Sequence, residues 1–162
     1  MKNKSILFLT QAAMIAALYV VLTYVSSMLG LANFAIQLRL SEALTILPFF
    51  TAAAIPGVSV GCLLANIVTG CSLLDIIFGT LATLIGAICS YALRRNKFLV
   101  PLPPIAANTI IVPWILRISY GIPDAIPFLM LTVGIGEILS CGVLGLLLLL
   151  SLQKHKAVFS LS

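Results

Sequence analysis

The run Ala43-Leu-Thr-Ile-Leu-Pro-Phe-Phe-Thr-Ala-Ala-Ala-Ile-Pro-Gly57, continuing through Val58-Ser-Val-Gly-Cys-Leu-Leu-Ala-Asn66 to Leu74, decides how often the chain turns back on itself. It carries no charge, but it holds Pro48 and then the pair Pro56-Gly57. Proline lacks an amide donor and glycine tolerates unusual backbone angles, so together they punctuate a chain. Two short helices are expected here rather than one long one.

Working outward, the residues from Lys4 to Arg39 enclose another charge-free stretch. It is too long for the apolar region of a secretory signal, which runs about 7 to 15 residues, and a helix from roughly Ser5 to Met28 is expected. Further helices are expected from about Asp75 to Leu93, Pro101 to Ile118 and Ala125 to Leu150. The composition demands a bilayer. Of 162 residues, 62% are hydrophobic and 8% charged, against about a quarter charged in a soluble domain. A spanning helix needs about 20 apolar residues, so six would use most of the chain. The expected fold is all-α: one integral membrane bundle of six transmembrane helices over residues 1–162, in the cell membrane.

Charge fixes the orientation. If Ala43 to Leu74 were a single kinked span and the N-terminus cytoplasmic, Arg94, Arg95, Lys97, Lys154 and Lys156 would all lie outside, against the positive-inside rule. Six spans with both the N- and C-termini cytoplasmic put these and Lys2 and Lys4 inside, leaving Arg39 and Arg117 outside. Glu42, Asp75 and Asp124 then fall at outer helix ends, and Glu137 lies about twelve residues into the last span. A polar pocket open to the outside is expected. The net charge of +5 sorts topology and collects on no face that could track a phosphate backbone, so no nucleic acid is expected as partner.

Glu137 is the most informative residue, since an acid near the bilayer centre costs about 2.5 to 3.5 kcal/mol unless compensated. It is read either as a structural ion pair or protonated carboxyl, or as a ligand contact. Asn66 and Asn108 sit in apolar segments, where an amide bonds a neighbouring helix or reads the edge of a heterocycle. Arg39 and Glu42 belong to the polar run Gln37 to Glu42, and Asp75 opens a helix; each is a ligand group or a helix-end charge. Trp114 and Arg117, three apart, can share a face, as interface anchors or as partners of a planar ligand. Ala12, Ala13, Ala16 and Ala17 form two overlapping small-xxx-small pairs that let another helix approach.

Gly57-Val-Ser-Val-Gly61 matches the GxSxG of serine hydrolases, but no strand precedes it and His155, the one histidine, lies in the C-terminal tail, so no nucleophile elbow is expected. Close helix packing explains the glycines better. Cys62, Cys71, Cys89 and Cys141 show no metal-ligand spacing and read as small buried hydrophobes. No phosphate-binding or metalloprotease motif occurs. Neither enzyme chemistry, a cofactor nor a metal is expected, and any uphill work draws on another subunit or an ion gradient.

Six short helices with an outer polar pocket resemble the substrate-binding S component of an energy-coupling factor (ECF) transporter. More specifically, Gln37-Leu-Arg-Leu-Ser-Glu-Ala-Leu-Thr-Ile-Leu-Pro-Phe-Phe50, Ile55-Pro-Gly57, Gly61-Cys62, Ala65-Asn66, Asp75-Ile-Ile-Phe-Gly79 and Gly136-Glu137 resemble the QueT-type queuosine-precursor transporters. The resemblance implies uptake of a 7-deazaguanine, such as the 7-cyano or 7-aminomethyl compound, with a transmembrane T subunit and two ATPase subunits as partners. The Ala12/Ala16 and Ala13/Ala17 face would dock the T subunit. A guanine-like edge then suits Glu137 at its N-H groups, Asn66 or Asn108 at its carbonyl, Arg39 with Glu42 at the outer gate, and Asp75 or Glu42 at an aminomethyl cation. The rival readings are an S component for another vitamin-like nutrient and a non-transporting structural membrane protein.

Overall fold

The computed structural model describes residues 2–31 and 37–154. His155 and Lys156 lie outside this range, as does the side chain of Lys2. All regular structure among the described residues is helical. Helix α1 spans Lys2–Met28, a 3₁₀ helix spans Leu40–Phe49, and α2 spans Ala54–Val68. A π-helical turn, Asp75–Gly79, leads into α3, Thr80–Ala92, and α4 follows at Leu102–Ser119. The last passage is α5, Ile126–Glu137, a second π segment, Ile138–Leu144, and α6, Gly145–Gln153.

Four helical stretches are long and apolar enough to cross a membrane: Lys4–Met28, Asp75–Ala92, Leu102–Ser119 and Ile126–Gln153. Their outward faces are oily, with Leu9, Ile110, Leu131 and Leu147 all more than half exposed, as lipid contact requires. The stretch Ala43 to Leu74 does hold two helices. Its break falls at Phe50–Ala53, between Pro48 and Pro56-Gly57, and Pro56 sits in the first turn of α2, where its missing N–H is an orphan anyway. Pro48 lies inside the 3₁₀ helix, which stops one residue later.

Each of these two helices is only about 20 Å long, from rises of about 2.0 and 1.5 Å per residue. They form an inner hairpin shorter than its neighbours. Thr51 at its turn donates to Gln11 Oε1 at 3.1 Å, two turns inside the start of α1. The hairpin supplies much of the core: Leu44, Leu47, Ala54, Val58, Cys62 and Ala65 pack with Ile15 and Tyr19 of α1 and Ala87 of α3.

Glycine permits the closest contact. A Cβ on Gly57 would stand 2.9 Å from Ile15 Cβ, and one on Gly61 2.7 Å from Tyr19 Cβ. The GxSxG glycines are therefore the groove into which α1 settles, and Ser59 Oγ donates back to Ile55 O at 2.8 Å.

Two helices end in the same device. Gly30 and Gly70 have φ of +70° and +71°, and the following amides return to the carbonyls of Ser26 and Asn66, at 3.0 and 2.9 Å. This is the Schellman cap, whose left-handed residue favours glycine. Both caps lie at one end of the bundle, and there the ends of α1, α2 and α4 meet the starts of the 3₁₀ helix, the first π turn and α5.

Candidate functional site

At that end a cavity of about 310 Å³ opens between α1, α2, α4 and the loops joining them. Arg39, Asn66, Asp75, Gln37 and Tyr120 supply its chemistry, and Ser26 and Thr69 line it further. A smaller cavity of about 80 Å³ shares Gln37, Leu116 and Ile122 with it and extends towards Phe128 and Thr132 of α5.

Asp75 organises the polar wall. It is 3% exposed, and its Oδ2 accepts from the Tyr120 hydroxyl at 3.1 Å and faces Arg39 Nη2 at 3.9 Å. Tyr120 in turn accepts from the Ser72 amide at 3.2 Å, and Asn66 Nδ2 donates to the Asp75 carbonyl at 3.2 Å. Asp75 Oδ1 has no partner. A buried acceptor left open costs free energy unless something else meets it, and this one belongs to a residue that lines a cavity. Burial pushes the Tyr120 phenol above its ordinary 10.0, so it remains a donor. Burial disfavours the Arg39 charge, but Asp75, Tyr19 and Glu42 more than offset it, and the guanidinium stays protonated.

A polar stripe on α1 holds the entrance in place. Tyr19, Thr23 and Ser26 recur at helical spacing: Tyr19 donates to Glu42 Oε1, Thr23 donates to Ser41 Oγ at 2.8 Å, and Ser26 Oγ accepts from the Leu40 amide at 3.0 Å. Together they zip the start of the 3₁₀ helix to α1. Tyr19→Phe would leave both oxygens of the buried Glu42 carboxyl unpartnered, and is expected to cost about 1–3 kcal/mol. Thermal unfolding in detergent checks this against Tyr24→Phe, whose parent side chain is 49% exposed.

Glu42 and Glu137 meet deeper in the bundle, 1% and 7% exposed. One ligand atom from each, and the Cys141 sulfur, lie within 4.8 Å of one another. The Cys141 thiol donates to Glu137 Oε2 at 3.2 Å and stands 3.4 Å from the Glu42 carbonyl. All three buried acids fall in or directly beside non-α winding: Glu42 in the first turn of the 3₁₀ helix, Asp75 opening one π turn, Glu137 ending α5 immediately before the other. Such windings are frequent at functional sites.

The fold thus gathers Arg39, Asn66 and Asp75 around the cavity and keeps Glu42, Glu137 and Cys141 behind it. Asn108 is buried beside Glu137 and lines neither cavity. Trp114 is 52% exposed and stands on the outer face of α4, away from the cavity wall. Exposed Arg117 donates to the Asp124 carbonyl at 3.0 Å and so closes the loop from α4 to α5. Ala12 and Ala16 are buried against α2, so the chain's own helix occupies that close-approach face, while Ala13 and Ala17 are exposed. Tyr19, Tyr120 and Thr45 join the polar network without having been singled out in the sequence. For Tyr19 a signal was available on α1, where it continues the Ala12/Ala16 stripe with Thr23 and Ser26.

An apolar, multi-pass helical bundle with a polar cavity at one end is the architecture of a membrane protein. Residues 9–154 match the QueT transporter family, and the chain belongs to that family. A family of transporters sets it apart from enzymes. The chain is 34% identical over 85 residues to the queuosine precursor transporter QueT of Lactococcus lactis subsp. cremoris (strain MG1363), across 52% of this chain and 50% of that one. It thus spans about half the length of the curated relative it matches. No solved structure matches it.

Proposed function

We propose that this protein is the substrate-binding S component of an ECF-type importer in the cell membrane, taking up a 7-deazaguanine queuosine precursor. The observation that carries the substrate reading is a cavity lined by Arg39, Asn66 and Asp75, the last a buried acid whose Oδ1 has no partner. A guanine-like edge presents adjacent N–H donors for a carboxylate and a carbonyl for a guanidinium or amide. A cavity of about 310 Å³ is at the small end of ligand pockets, in keeping with a bicyclic base. Asp75 thereby takes the role first given to Glu137, which lines neither cavity.

Six passages with both termini cytoplasmic suit this function, since helix directions alternate and the acidic cavity then faces outward, opposite Arg94, Arg95 and Lys97. The T subunit and two ATPase subunits would supply motion and energy, and the exposed Ala13/Ala17 face of α1 is the docking surface that remains. The relative's name supports the substrate class. Calorimetry on the purified protein in detergent tests it. Submicromolar binding of 7-aminomethyl-7-deazaguanine, with a rise in Tm and no response to guanine or riboflavin, is the expected result. Binding of riboflavin instead would move the protein to another nutrient, and no binding by a folded sample would end the reading.

A further inference from the structure

We infer that Glu42, Glu137 and Cys141 form a buried site for a divalent metal ion of borderline softness, the class of Zn²⁺ and Cd²⁺. The inference is independent of the substrate proposed above.

Charge balance is the first reason. Among the described residues, the one carboxylate–cation contact within 4.0 Å is Arg39 with Asp75, at 3.9 Å. Glu42 and Glu137, with ligand atoms within 4.8 Å of each other, face none of the described cations at that range. Two buried carboxylates this close repel each other in a low dielectric, and a single divalent ion neutralises both. Glu42 supplies the second reason. Its Oε1 is engaged by Tyr19, while Oε2 has no partner although the residue is 1% exposed. An open lone pair on a buried carboxylate beside a second carboxylate is a vacant ligand position. Ser140, also 1% exposed and next to Cys141, has an unpartnered Oγ too.

The ligand set selects the ion. Cys141 binds as the thiolate, its proton released to solvent as the ion enters, and a thiolate with two carboxylates suits zinc-like ions rather than Mg²⁺ or Ca²⁺, which prefer oxygen throughout. Bonds of about 2.0–2.3 Å around one such ion hold its ligands roughly 3.3–4 Å apart. Cys141 Sγ already stands 3.2 Å from Glu137 Oε2 and 3.3 Å from Thr45 Oγ1. Thr45, which donates to the Glu42 carbonyl at 2.6 Å, is positioned to orient that carbonyl and the thiol as an outer contact. The π segment that starts after Glu137 carries Ser140 and Cys141 inward on the same passage.

Metal-free protein in detergent is titrated with Cd²⁺ and, separately, with Zn²⁺. Expected are a cadmium–thiolate charge-transfer band and a Zn²⁺-dependent rise in Tm, with the band lost in Cys141→Ser. Glu42→Gln and Glu137→Gln should each weaken Zn²⁺ by roughly ten- to a hundredfold or more. Mg²⁺ should produce no response. A band of equal strength in Cys141→Ser would put the ion on Cys62, Cys71 or Cys89 and overturn the inference. So would the absence of both band and Tm rise, which would mean that protons neutralise the pair. If a Gln variant does not fold, the comparison of wild type with Cys141→Ser decides alone.

Discussion

Asp75→Asn is expected to weaken binding of 7-aminomethyl-7-deazaguanine by about a hundredfold, corresponding to about 3 kcal/mol. The substitution preserves volume, which matters because a Cβ at the neighbouring Gly79 would stand only 2.8 Å from Asp75 Oδ1. It removes the charge that faces Arg39 and replaces one carboxylate oxygen with an N–H donor. If the new amide nitrogen occupies the Oδ1 position, ligand N–H groups meet a donor. If it occupies the Oδ2 position, Tyr120 loses its acceptor and the wall of the cavity opens. Either orientation costs affinity. Asp124→Asn, at the same end of the bundle but on an exposed residue, should change binding little, which separates a specific contact from a general loss of negative charge. Calorimetry on both variants, with Tm to establish folding, reads the difference. Unchanged affinity in Asp75→Asn would remove this residue from the site.

Asp75, Arg39, Glu42, Asn66 and Glu137 were legible in the sequence for one physical reason. In a chain so apolar each charged or amide group is expensive, so each demands a partner. What the sequence does not carry is the rotation of each helix about its axis. Trp114 and Arg117 share a face by spacing, but the buried face of α4 runs through Asn108, Val112, Ile115 and Leu116, and Trp114 points away from it. Ala12 and Ala13 differ by one position and by a whole environment. Tyr120 gave no signal, since a tyrosine near a helix end is ordinary at a membrane interface. The approach of Gln37 to α5 was equally hidden. A Cβ on Gly136 would collide with the Gln37 carbonyl, and no local pattern ties those two positions together.

The helices themselves were readable because charge-free length is a nearly direct measure of bilayer passage, and their observed ends fall within a few residues of those expected. Their winding was not. A 3₁₀ turn and a π turn differ from an α turn by one residue of hydrogen-bond register, a difference too small in local energy for composition to report. The place of the break in the hairpin was hidden for a similar reason. Pro56 is a breaker only in a helix interior, and nothing before the fold was known put it in a first turn.

Gly61→Leu is expected to damage the fold severely, costing about 3 kcal/mol, at the upper end of overpacking penalties. A Cβ at this position would stand 2.7 Å from Tyr19 Cβ and 3.1 Å from both Cα and O of Ala16. Two of those neighbours are backbone, and Tyr19 Cβ is fixed to backbone, so no rotamer change relieves the clash. Helix α1 would have to move away from α2. The movement would pull Tyr19 from Glu42 and Thr23 from Ser41, so the start of the 3₁₀ helix would lose its anchors and the cavity its shape. Stability and ligand affinity should therefore fall together. Gly142→Ala gives the contrast, because a Cβ there meets its nearest neighbours at 3.7 and 3.9 Å, which is ordinary contact, and no loss of Tm is expected. Thermal unfolding in detergent compares the two. A Gly61→Leu protein with the wild-type Tm would mean that α1 does not seat in the Gly57/Gly61 groove, and with that the organisation of the whole cavity end of the bundle would have to be redrawn.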